Sequence, residues 1–155
     1  MLNLEELLNS NSFLLIQNPT SKKMMFDKVC IKAFENYNID KNLLFNNIIK
    51  RENIRTTTIG NGIAIPYVQN DQIVKPSCIV TILSDALDFE ALDNTPVDLI
   101  VFLMLPEVNK SENLQILAQV SRLLRNTDIT DKLRGCKSEE SAFAIISHHL
   151  KSKAA

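Results

Sequence analysis

Apolar residues recur along this chain in two rhythms, one helical and one of strands. Leu4, Leu7 and Leu8 share a face in "NLEELL", which predicts a short helix. After Pro19, Thr20 or Ser21 offers an N-cap, and Met25, Val29 and Ala33 then recur every four residues with Cys30 and Phe34 beside them. That is the buried face of an amphipathic helix. Asp40 caps a second helix, "KNLLFNNIIKREN", in which Leu44 and Ile48 face one way and Phe45 and Ile49 nearly the same way. Ser111 opens "SENLQILAQVSRLLRN", with a predicted inner face of Leu114, Leu117, Ala118, Ser121 and Leu124. A shorter helix around "ITDKLRG" stops at Gly135, and Ser138 caps the last one, "SEESAFAIISHHL".

The strand rhythm lies between these helices. "FLLIQ" and the β-branched "TTTIG" are short strands. "SCIVTIL" alternates, with Cys78, Val80 and Ile82 on one side and Ile79, Thr81 and Leu83 on the other. "LDFEALDNTPV" predicts a brief strand and a turn. "DLIVFLMLP" is apolar on both sides, as a strand covered by helices above and below must be. The expectation is α/β: a single domain over residues 1–155, with a mixed β-sheet of about five strands flanked by helices on both sides.

Composition removes several classes of function. The 155 residues carry 17 basic and 18 acidic side chains, a formal net charge of −1, so no long-range field gathers nucleic acid. The longest apolar run, Leu99 to Leu105, is too short to cross a bilayer, and the N-terminus has no basic region of a signal peptide. These features predict a cytoplasmic protein with no membrane insertion. Cys30, Cys78 and Cys136 have neither metal-type spacing nor an even count, so no metal and no cofactor is expected. The chain holds only three glycines, and two of them, Gly60 and Gly62, flank Asn61 in "TTTIGNGIAIPYVQN". By itself "GNG" is a turn, or a nest of backbone N–H groups that binds an anion. It has neither the lysine of a P-loop nor the third glycine of a dinucleotide fingerprint.

The longer string "KRENIRTTTIGNGIAIPY" resembles the central motif of the enzyme IIA domains of the bacterial phosphoenolpyruvate-dependent phosphotransferase system, fructose–mannitol class. Those domains read R-E, a spacer, then T-x-I-G-x-G-I-A-I-P-H. "DFEALDNTPVDLIVFLMLP" and "ENLQILAQVSRLLRN" followed by "DKLRGCKS" extend the likeness, most closely to the nitrogen-regulatory branch. The resemblance implies that the histidine after I-P accepts phosphate from a phosphohistidine carrier, that a second histidine flanks it, and that the arginine of R-E lies at the same pocket. Carried onto this chain, the arginine is Arg51, the acceptor position is Tyr67 and the second histidine position is Asn113. Gly60, Asn61 and Gly62 become the expected anion-binding loop.

Both histidine positions thus hold other residues. A neutral imidazole near its pKa is a nucleophile, and phosphohistidine passes its phosphate onward; a phenol ionises only near pH 10 and an amide takes no proton. The resemblance therefore implies a regulatory binding module held in the unphosphorylated state rather than an enzyme. The alternatives are a phosphocarrier that still accepts phosphate from the upstream histidine phosphocarrier protein, on Tyr67 or elsewhere, and a scaffold turned to an unrelated ligand. Expected partners are that upstream carrier and a regulated transporter or sensor kinase. A second imidazole at position 113 is expected to improve any restored transfer. His148 and His149 fall outside the matched positions, in a last helical turn that suits cations. Glu112, in a first turn, complements the helix dipole. "RLLRN" is a solvated face around a leucine stripe.

Overall fold

The computed structural model describes residues 3–54 and 56–154. A single-turn 3-10 helix at Leu4–Leu7 leads into β1 (Phe13–Ile16), then α1 (Lys22–Tyr37) and α2 (Lys41–Ile54). Three short strands follow, β2 (Thr58–Gly60), β3 (Ile63–Ala64) and β4 (Tyr67–Asn70), then the long β5 (Ser77–Leu87) and β6 (Val97–Pro106). The chain closes with α3 (Lys110–Leu124), α4 (Thr127–Arg134) and α5 (Glu139–Ala154).

The six strands form one mixed sheet in the order β1-β5-β6-β3-β2, with β4 also on β6. β5 and β6 run antiparallel, while β1 lies parallel to β5. β3 and β4 follow one another along the same edge of β6, both parallel to it: Ile63 sits opposite Leu99 and Tyr67 opposite Leu103. The sequence reading expected about five strands. It missed β3 and β4, whose two and four residues are too few to show a rhythm, and it placed a strand near Phe89 where none forms. There Asp88 accepts from the backbone of Glu90, Asp93 from that of Thr95, and Glu90 and Asn94 have positive φ. Side-chain bonds to nearby backbone of this kind compete with a ladder and fold the segment into turns.

Strand alternation divides the core. Leu99, Val101, Leu103 and Leu105 pack with Cys78, Val80 and Ile82 under α3, α4 and α5. Ile100, Phe102 and Met104 pack with Ile79 and Leu83 under α1 and α2. β6 is thus buried on both sides, as its unbroken apolar run requires. Three helix starts follow the sequence: Ser21 Oγ accepts from Met24 N, Asp40 Oδ1 from Asn42 N, and Ser138 Oγ from Ser141 N, whereas α3 begins at Lys110 behind Asn109, ahead of the expected Ser111. The face of α3 does not. Asn113, Ile116, Val120 and Leu124 are buried, while Leu114 is 67% exposed. Choosing apolar residues alone rotated the predicted stripe, because the buried face includes an asparagine.

Candidate functional site

The site is assembled where α2 ends. Glu52 turns inward there, its side chain 5% exposed, and its carboxylate is held by two partners. Lys22 Nζ lies 2.9 Å from Oε2, and the Thr57 hydroxyl donates to Oε1 at 2.6 Å. The same Lys22 ammonium stands 4.5 Å above the ring of Phe89. A buried carboxylate is tolerated only when paired and hydrogen-bonded in this way. The arrangement fixes Thr57, whose carbonyl accepts from Ile65 N, and Pro66 O accepts from Leu103 N. The two bonds set the register in which Tyr67 enters β4.

Alternation then turns Ile63, Ile65 and Tyr67 toward the α3 side of the sheet. Arg51, on the last turn of α2, reaches the same place, and its guanidinium carbon lies 5.1 Å from the centre of the Tyr67 ring. That is cation–π range. Arg51 and Tyr67 share one surface depression of about 540 Å³. Thr56, Thr58 and Ile59 form one wall, and Leu117 and Ser121 of α3 form another. Leu92, 98% exposed, stands at its margin.

Asn113 does not line this depression. It lies one helical turn before Leu117 and two before Ser121, and is 1% exposed. Its side-chain amide donates to the carbonyl of Pro106, the last residue of β6, at 2.7 Å. Arg51 and Tyr67 thus share the depression, while Asn113, on the helix that carries its Leu117–Ser121 wall, is bonded to the end of the central strand.

Gly60, Asn61 and Gly62 have φ of 96, 56 and 77°. Asn61 and Gly62 connect β2 to β3, and positive φ at both central residues is what a type I′ hairpin turn needs. The turn is tied to its surroundings on both sides. Asn61 N–H donates to Asp93 Oδ2 at 3.0 Å, and the Arg134 guanidinium donates to Asn61 O at 2.6 Å while holding Asp98 Oδ1 at 2.9 Å. A Cβ on Gly62 would come within 2.9 Å of that guanidinium and 3.1 Å of Pro96 O. None of the three residues lines the depression. The expected anion loop is a hairpin turn, and the anion its Asn61 N–H meets is the chain's own Asp93. Hydrogen bonds from the backbone N–H groups of Thr95 and Asn61 hold that carboxyl below its usual range.

Residues 6–149 match the family described as "Phosphoenolpyruvate-dependent sugar phosphotransferase system, EIIA 2". The chain belongs to this EIIA family. Among its relatives, the "Nitrogen regulatory protein" of Pseudomonas aeruginosa is 33% identical over 147 residues, covering 94% of this chain and 96% of that one. The protein of the same name from Bradyrhizobium diazoefficiens is 32% identical over 126 residues, covering 81% and 82%. In fold, the chain is similar to the crystal structure of nitrogen regulatory protein IIA-Ntr from Neisseria meningitidis, with a TM-score of 0.81 at 24% identity over 90% of this chain and 96% of that one.

The chemistry of the depression is set by few polar groups. Among its described lining residues there is no imidazole, no thiol and no carboxylate, and Arg51 is the one charged group. His148 and His149 lie on α5. Burial first, then Lys153, Lys132 and His148, push the pKa of His149 down. Cys30 and Cys78 are buried thiols with pKa pushed up to about 12 by desolvation, so neither is a nucleophile. Sequence reasoning missed Asp93, Asp98 and Arg134 around the turn. The string "DKLRG" contained the arginine, but nothing local ties it to a hairpin 72 positions earlier (134 − 62 = 72). Among the described residues no helix is long and apolar enough to cross a membrane.

Proposed function

We propose that this chain is a regulatory EIIA-like module of the nitrogen-regulatory branch that works by binding protein partners while locked in the unphosphorylated state, in the cytoplasm. Its support is the family match, together with relatives named nitrogen regulatory protein. The observation that carries the locked state is the depression itself: Arg51 is kept against the position that follows I-P, but that position is a tyrosine and no histidine stands around it. Reversible relay needs a high-energy phosphoryl linkage such as a phosphoramidate, and neither a phenol nor the Asn113 amide forms one.

The test is transfer of labelled phosphate from the phosphorylated upstream carrier to wild type, Tyr67→His, and Tyr67→His with Asn113→His. Wild type is expected to take no acid-labile label. Tyr67→His is expected to take some, because Arg51 and the backbone around Pro66 are already in position, and positioning supplies much of phosphoryl transfer. Asn113→His is expected to add little, since position 113 is turned to Pro106 O rather than to the depression. Robust acid-labile label on wild type overturns the locked state. Acid-stable label at Tyr67 supports the second reading, a phosphocarrier acting through the phenol beside Arg51.

A further inference from the structure

The depression at Tyr67 has the size and make-up of a small-molecule site. Its volume of about 540 Å³ is within the ~300–1,000 Å³ typical of ligand clefts. Ile59, Ile65, Leu117 and the Tyr67 ring make it mostly apolar, with a few polar groups converging on it. Of these, Thr57 is committed to Glu52, while Thr58 and Ser121 bring hydroxyls and Arg51 brings the charge. Thr56 adds a separate observation. Its Oγ1 is buried at the wall and has no hydrogen-bond partner among the described residues. Native proteins rarely leave a buried hydroxyl unpaired, and the exceptions mark places where another group completes the bond.

We propose that this depression binds, without covalent chemistry, a small organic anion: a compact apolar body bearing a single carboxylate or phosphate. The apolar body lies against Ile59, Ile65 and Leu117. The oxyanion is drawn to the positive charge of the Arg51 guanidinium, whose five donors suit either head group. Threonine and serine hydroxyls complete the set. The inference rests on the reading that Tyr67 no longer relays phosphate, so that a bound molecule, rather than a phosphoryl group, changes what a partner meets at this surface.

The test is an amide NMR titration of the full chain, with no carrier protein present. The probes are phenylacetate, phenyl phosphate, the neutral benzyl alcohol and inorganic phosphate. We expect saturable shifts of the Thr58, Ile59, Tyr67 and Ser121 amides with at least one aryl anion, and the two aryl anions together report whether the site takes carboxylate or phosphate. Benzyl alcohol and inorganic phosphate should each bind about tenfold or more weakly, since each lacks half of the recognition. Arg51→Met should weaken aryl-anion binding at least about tenfold by removing the charged contact. Ser121→Leu, at a half-buried helix position, should block it by filling the depression. No saturable shift at these amides, equal binding of benzyl alcohol or of inorganic phosphate, or unchanged binding by both variants would overturn the proposal. Labelled phosphate on wild type would overturn the locked state instead, a result read from a separate sample.

Discussion

The hairpin turn at 60–62 and the depression around Tyr67 stand side by side in one motif, and they are built in opposite ways. At the turn the backbone N–H and carbonyl of Asn61 each meet a partner within the chain: Asp93 on one side, and Arg134, itself paired with Asp98, on the other. The depression is enclosed by apolar side chains, and at its wall the Thr56 hydroxyl meets none. A motif that reads as one unit in sequence is therefore two devices. One is scaffold, satisfied internally. The other faces outward, and its chemistry can change without disturbing the first. In this chain "TTTIGNGIAIP" runs from one device into the other, with tyrosine at the next position.

Substitutions should separate the two. The largest effect on stability is expected for Gly62→Ala. A left-handed φ costs a non-glycine residue about 1–2 kcal/mol, and the new methyl would also press on Arg134 and Pro96 O, so chemical denaturation should show a loss of roughly 2–4 kcal/mol. Gly60→Ala has the backbone cost without the clash, its Cβ meeting only Asp93 Oδ2 at an ordinary 3.6 Å, and should lose about half as much. Equal losses would mean that the contacts around Gly62 yield easily.

Glu52→Gln comes next, at roughly 1–2 kcal/mol, because it keeps the shape but removes the charge that Lys22 faces. The same variant should also broaden the NMR signals of Thr56 and Thr58, since the carboxylate holds the wall of the depression through Thr57. Arg51→Met inverts the pattern: it removes the contact with the Tyr67 ring, worth about 0.5–1 kcal/mol by itself, and its larger effect should fall on binding at the depression.

The smallest effect is one of pH. The Asp93 carboxyl has its pKa lowered in the folded chain, so its contribution is fully present above the ordinary value of 3.8 and is lost as pH falls through the lowered one. Hydrogen exchange of the Asn61 amide should quicken relative to other turn amides below about pH 4, and Asp93→Asn should abolish that dependence.

The long elements were legible because their apolar rhythm is sustained. α1, α2, α5, β5 and β6 and the two-sided burial of β6 all follow from period and composition. What was not legible depends on contacts remote in sequence. β3 and β4 exist because β6 offers them an edge, not because of their own residues. Arg51 and Tyr67 meet because α2 ends at the sheet edge that β4 occupies. The burial of Asn113 is set by one carbonyl left over at the end of β6, which no count of apolar positions reveals.

The three cysteines bear on how this surface can be watched. Cys30 and Cys78 are buried with pKa pushed up to about 12, so maleimides at neutral pH will find both slow to react, while Cys136 is only partly buried. With Cys136→Ser in place, a thiol introduced by Leu92→Cys, at the most open point of the margin, would react first. The chain can then be tagged with one fluorophore beside the depression, leaving both buried cysteines in place, and its emission would follow arrivals at that surface in real time.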